Sequence, residues 1–218
     1  MNKHNRIARL PKQEAERKEF LIHMYDQMFN DINRHILVVW QSVGVLVSPL
    51  AILALVERQI ISLDIAASIL VLSAAWLLAN LVDSAYWYNR NLVIIANIER
   101  QFLDPEDLRR IHYYFGKHRK KTSMLTHLWV QYLLGIGVAS LVLLYHFGTR
   151  VVPGFGAPVQ NFELQRALPY LTSLAASLAI AHLRRRRIRA YEEFLRNSPG
   201  IEIDTKGIIY KEGHPIDE

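Results

Sequence analysis

Residues 65–82 carry no charged side chain, and from 65 to 103 the chain contains neither proline nor glycine. A helix needs about 20 apolar residues, at roughly 1.5 Å each, to cross the hydrocarbon core of a bilayer. The run therefore predicts one helix that spans a membrane and continues into water as the amphipathic stretch 91–103. Ser73, Trp76, Asn80, Asp83, Trp87, Arg90, Asn97 and Gln101 recur near one stripe of that helix. Leu70, Leu77, Leu78 and Leu81 fall on its other faces, where lipid or apolar neighbours suit them. A polar stripe in hydrocarbon needs a partner or water, because the lipid tails offer neither.

Three further apolar blocks lie at 36–56, 125–147 and 167–183, and the charges collect between the blocks. This distribution sets the class; the averages of 51% hydrophobic and 21% charged residues would suit a soluble protein. The expected fold is all-α: a polytopic membrane protein with four transmembrane helices, long cytoplasmic helical extensions and a small C-terminal hairpin-like tail. Its expected organisation is a cytoplasmic N-terminal amphipathic helix (1–35), a first transmembrane hairpin (36–86), a cytoplasmic helical segment (87–124), a second transmembrane hairpin (125–183), and a cytoplasmic helix end and tail (184–218).

Local signals place the boundaries. Pro11 suits a first helical turn, and Glu14, Glu16 and Glu19 favour the early turns. Phe20, Met24, Met28 and Ile32 then mark an amphipathic helix that runs into the first span. Gly44 and Ser48 form a small-xxx-small pair for close helix approach, and Pro49 can kink the span. Residues 57–64 are short enough to force a tight hairpin. Asp104 and Pro105 read as the start of a short helix, about 105–115, that ends at Gly116. Gln131, Gly135, Gly137, Ala139 and Ser140 supply small or polar positions in the third span. Pro153, Gly154, Gly156 and Pro158 mark 148–165 as a loop. The fourth span is rich in small residues and runs into an arginine cluster, its helix continuing to about Arg196. After Pro199 and Gly200, residues 201–203 and 208–210 read as a two-stranded hairpin, which is unstable unless docked. No short apolar core with a small-residue cleavage site precedes Arg34, so the first span is expected to act as an uncleaved anchor.

Basic residues near the apolar blocks set orientation. Lys12, Arg17, Lys18 and Arg34 precede the first block; Arg90, Arg100, Arg109, Arg110, Lys117, Arg119, Lys120 and Lys121 separate the second and third. Arg184, Arg185, Arg186, Arg187 and Arg189 follow the fourth, whereas the opposite side holds only Arg58, Arg150 and Arg166. Both termini and the middle segment are thus expected in the cytoplasm, the membrane being a bacterial inner membrane. The net charge of +6 follows from this topology and does not require sequence-specific nucleic-acid binding. The absence of cysteine excludes disulfides and thiolate chemistry.

The candidate pore or gate residues are Gln41, Ser48, Ser73, Trp76, Asn80, Asp83 and Trp87. Asp83 reads in two ways. It can sit at the inner mouth of a cation-attracting path, with Asn80 and Ser73 above it and Gln41 or Ser48 opposite, or it can pair with Arg90, Arg34 or an interfacial arginine. Trp76 suits a hydrophobic constriction or plain core packing, while Tyr86, Trp87 and Tyr88 suit interfacial anchoring. Lys117, Arg119, Lys120, Lys121 and the five arginines 184–187 and 189 are candidates for an anionic ligand or lipid headgroups, or a positive-inside stop signal alone. His112, His118, His127, His146 and His182 form no metalloprotease-type pair, and no phosphate loop, nucleophile elbow or kinase signature is present. No catalytic residue, metal or cofactor is expected.

In layout the chain resembles the small multi-span membrane effectors of bacterial anti-phage defence systems, including the two-span modules that accompany nucleotide-second-messenger enzymes. The likeness lies in the amphipathic 13–35 leading into 36–56, the short hairpin 57–64 and the continuation 86–103, which together make about the first half of the chain; the third and fourth spans depart from the two-span pattern. It implies an oligomeric pore or membrane-disrupting effector held closed until a cytoplasmic signal arrives. Four spans in one subunit leave little room for an aqueous path, so conduction calls for a cyclic homo-oligomer. The leading expectation is a homo-oligomeric membrane channel or pore-forming effector gated from the cytoplasmic side. The alternative is a non-conducting membrane anchor or sensor that recruits a soluble cytoplasmic partner. The expected partners are the bilayer, further copies of the chain, and a cytoplasmic regulatory protein or anionic signal ligand.

Overall fold

The computed structural model describes residues 11–47, 50–103, 107–110, 124–156, 158 and 163–198. Among the described residues six α-helices follow in order: α1 (Pro11–Val47), α2 (Leu50–Glu57), α3 (Leu63–Phe102), α4 (Asp107–Arg110), α5 (Thr126–His146) and α6 (Leu168–Arg196). Among the described residues there is no strand, and the protein is all-helical. Ser48, Pro49, Lys117, Arg119, Lys120, Lys121 and the expected tail hairpin lie outside the described residues, as does most of the short helix expected at 105–115.

The uninterrupted 65–103 segment forms a single 40-residue helix, about 60 Å long and twice a hydrocarbon core. Its start is fixed locally: the Ser62 hydroxyl accepts the Ile65 backbone N–H at 3.3 Å, an N-cap that satisfies one of the orphan donors of the first turn. The hairpin before it is closed by a Schellman motif at the end of α2. Ile60 N–H bonds to Leu55 O and Gln59 N–H to Val56 O, both at 2.9 Å, with Gln59 in the left-handed region at φ 59°.

The described residues fall into two units, one drawn from Met1–Asn33 and Arg90–His118, the other from Arg34–Asn89 and Arg119–Ser198. In the first, the amphipathic part of α1 meets the last turns of α3. Tyr25 Oη donates to Glu99 Oε1 at 3.3 Å, Arg17 Nη2 to Gln101 Oε1 at 3.1 Å, and Leu92, Val93, Ile95, Ala96 and Ile98 are buried.

The second unit is built on α3. Val39 of α1, Ala74, Leu77, Leu81 and Ala85 of α3, and Leu128 of α5 form its buried core. The α3 leucines that suited lipid or apolar neighbours are interior: Leu70, Leu77, Leu78 and Leu81 are all buried, while Ile65, Ile69, Leu72 and Trp76 make the outward face. A stripe of Leu128, Gln131, Gly135 and His146 seats α5. At Gly135 a Cβ would meet Leu78 Cδ2 at 3.0 Å and Leu77 Cδ2 at 3.4 Å, so the missing side chain brings α5 against α3; at Gly137 no such neighbour exists.

Two helical stretches, Leu63–Phe102 and Thr126–Gly154, are long and apolar enough to cross a membrane. They differ in surroundings. Over half of the apolar window of the first, 56%, is buried inside the protein, against 17% for the second. The second stretch also extends further than expected. After α5 the backbone continues as a π-helical turn, Phe147–Val151, and a 3-10 turn, Val152–Gly154, where the sequence suggests a loop. Pro153 is tolerated because it sits in a first turn, where no backbone donor is needed. The other two apolar blocks lie in α1–α2 and in the first half of α6.

Candidate functional site

Asp83 of α3 is bound by Arg187 of α6, with both Nε and Nη2 of the guanidinium reaching Oδ1 of the carboxylate. The pair is partly exposed, so its Coulomb energy is modest and its value lies in fixing position. Aromatic rings build the frame. The Arg187 guanidinium lies 4.8 Å from the ring centroid of Tyr86 and 5.8 Å from that of Trp87. Tyr86 and Trp87 meet edge to face at 5.2 Å, Trp87 stacks on His35 of α1 at 6.1 Å, and Tyr86 meets the edge of Tyr191 at 6.4 Å. The helical repeat explains the convergence: 83, 86 and 87 share one side of α3, and 187 and 191 share one side of α6. Three helices are thereby tied at one level around one ion pair.

The rest of the polar stripe is arranged differently. Ser73 Oγ donates to Ile69 O and Asn80 Nδ2 to Trp76 O, each at 2.9 Å, so both return to their own helix. Trp76 points outward, 46% exposed, and Gln41 is exposed on α1 beside the outward Leu37 and Trp40. Arg184, Arg185, Arg186 and Arg189 are exposed on α6, and Arg187 of the cluster pairs with Asp83 of α3.

A second polar cluster lies at the opposite end of the apolar part of α3. Asp64, in the first turn of α3, and His146, at the end of α5, are fully buried. His146 Nε2 stands 2.8 Å from Asp64 Oδ1, and His146 Nδ1 stands 3.0 Å from Tyr170 Oη. Both ring nitrogens of His146 are thus engaged, Nε2 by the Asp64 carboxylate and Nδ1 by the Tyr170 hydroxyl, which ties the three side chains into one chain of hydrogen bonds. Arg150 closes the other side of the carboxylate, with Nη2 at 3.1 Å from Oδ2 and Nε at 3.4 Å from Oδ1. Glu163 in turn joins Arg150, at 3.4 Å, to Arg166, at 3.0 Å, and Arg166 Nη1 donates to Arg150 O at 3.2 Å.

This network joins α3, α5, α6 and the turns between the last two. No short motif announces it, since Asp64 and His146 are 82 residues apart. Its one trace in the sequence is that Gln131 and His146 share the face of α5 that carries Leu128 and Gly135. Among the described residues no group of three or more His, Asp or Glu side chains is placed to hold a metal. Buried polar atoms without a partner there include Gln131 Oε1 and both ends of the Asn91 amide, Asn91 being 1% exposed.

Comparison with protein-family models, with curated proteins and with solved structures returns no match.

Proposed function

We propose that the chain is an integral membrane protein with four spanning segments, its termini and middle segment on the cytoplasmic side of a bacterial inner membrane, and that copies of it assemble into a channel or pore-forming effector controlled from that side. Surface chemistry supports the membrane part. Leu133, Leu134, Leu141 and Leu144 on α5 and Leu171, Leu174 and Leu178 on α6 are each about half or more exposed, an apolar surface that water would not tolerate and lipid would cover. Exposed Gln41, flanked by Leu37 and Trp40, supports assembly: in hydrocarbon its amide would need a partner, which a second copy can supply.

The observation that carries the gating reading is the Asp83–Arg187 pair, which joins two spans at their basic end and holds a charge that separation of α3 and α6 would release. In this reading the pair is the closed position of a latch, and a cytoplasmic signal would work by parting it. Setting it in a defence effector follows only from the resemblance in layout. Liposome flux tests the proposal. The wild type should be quiet, Asp83→Leu should raise ion flux, and equal silence of both under an applied potential refutes conduction.

The non-conducting anchor is favoured by a different observation: Ser73, Asn80 and Asp83 each have a hydrogen-bond partner within the chain. That reading expects deletion of 201–218 to abolish the cellular effect and substitutions at those three residues to be tolerated.

A further inference from the structure

Beside the Asp83–Arg187 pair lies a cavity of about 280 Å³ walled by α3, α5 and α6. Its walls are of two kinds. Tyr86, Trp129, Tyr132 and Ile188 make an aromatic and apolar side, in which the Trp129 and Tyr132 rings stack with centroids 5.8 Å apart and planes within 10°. Arg184 and Arg187, one helical turn apart on α6, supply two guanidinium groups. Arg187 is held by Asp83 and by the face of Tyr86. Arg184 has no ion-pair partner among the described residues. Among the described residues Asp83 offsets the charge of Arg187, which leaves the Arg184 guanidinium uncompensated.

An uncompensated guanidinium matches the negative charge of a phosphodiester, and its fork matches the two free oxygens. A soluble anion would use only the arginine side. The aromatic and apolar side suits the glycerol backbone and first acyl carbons of a molecule that lies at the membrane boundary, the level at which tryptophan and tyrosine gather. The volume admits a headgroup but not a whole lipid, and the exposed Leu133, one turn along α5 from Trp129, offers the acyl chains a surface.

From this geometry we infer that the cavity binds the headgroup of an anionic phospholipid of the cytoplasmic leaflet, Arg184 contacting the phosphate and Arg187 lending its remaining edge. Lipid in this position would wedge between α5 and α6 next to the Asp83–Arg187 pair. The inference rests on the membrane reading above but not on conduction.

Native mass spectrometry of the full chain, extracted in detergent and titrated with phosphatidylglycerol, phosphatidylcholine or inorganic phosphate, tests it. Phosphatidylglycerol should bind about tenfold more tightly than phosphatidylcholine. Arg184→Gln should weaken it about fivefold to tenfold, since each arginine at such a surface is worth about one kcal/mol or more. Arg186→Gln, an exposed change one turn-face away from the cavity, should leave binding within about twofold, because it removes the same charge from the same helix. Among the described residues Arg184 has no ion-pair partner to lose, and its side chain is exposed on α6, so Arg184→Gln is expected to leave the fold in place. Three results overturn the inference: equal binding of the two lipids, equal losses from Arg184→Gln and Arg186→Gln, or displacement of the lipid by inorganic phosphate at similar concentration. A chain that alkaline carbonate strips from membranes fails the membrane reading itself, whereas a membrane-retained chain without headgroup preference fails the lipid site alone.

Discussion

Replacing His146 with leucine should be among the most damaging single changes in the protein. The imidazole is fully buried and holds two groups at once, Asp64 at 2.8 Å and Tyr170 at 3.0 Å. Loss of a hydrogen bond to a charged group costs about 1.5–3 kcal/mol and of a neutral one about 0.5–1.5, so His146→Leu should cost about 2–4.5 kcal/mol. Asp64→Leu leaves the buried imidazole donor unpaired, about 1–3 kcal/mol, while Arg150 keeps Glu163 at 3.4 Å. The double variant removes the carboxylate and its donor together. Its cost should fall short of the sum of the singles by about 1.5–3 kcal/mol, the coupling expected of a charge-assisted bond out of water. Equilibrium unfolding in mixed detergent micelles, followed by tryptophan fluorescence, measures all four corners of the cycle. Additive losses, with coupling below about 0.5 kcal/mol, would refute the claim that Asp64 and His146 meet in a dry site.

Two further changes probe the local geometry. Gly135→Leu should weaken α3–α5 packing by about 1–3 kcal/mol or block folding, whereas Gly137→Leu, with open space around its Cα, should be tolerated; the same unfolding assay reads both. Gln59→Gly should raise stability by about 0.5–1 kcal/mol, since glycine relieves the left-handed backbone at the end of α2 at the cost of some unfolded-state entropy; an unchanged or lower midpoint would count against the Schellman turn.

The stripe on α3 illustrates what periodicity can and cannot say. Spacing correctly places Ser73, Trp76, Asn80 and Asp83 on one long helix, because 3.6-residue geometry is local. It cannot choose their partners. Ser73 and Asn80 turn back to carbonyls four residues earlier, Trp76 faces outward, and Asp83 takes an arginine 104 positions later. In the same way the arginine run reads from sequence as one uniform block, yet the turn of α6 divides it: Arg187 faces α3, Arg184 lines the cavity, and Arg185 and Arg186 are exposed. Gly135 and Gly137 look equivalent as small residues of one span, and only the neighbouring Leu77 and Leu78 give the first a packing role.

By itself the sequence determined that the chain is helical, that one uninterrupted helix passes well beyond any apolar layer, and that apolar and basic residues are segregated along it. These are consequences of short-range sterics, periodicity and solvation, which act within a few turns of chain. Tertiary structure alone decided that the α3 leucines are core, that Asp83 belongs to Arg187, and that Asp64, His146, Tyr170 and Arg150 form one buried network. The physical reason is desolvation. A charge or polar group removed from water must take whichever complementary group packing brings within reach, and that choice is made between helices, across separations that no local pattern records.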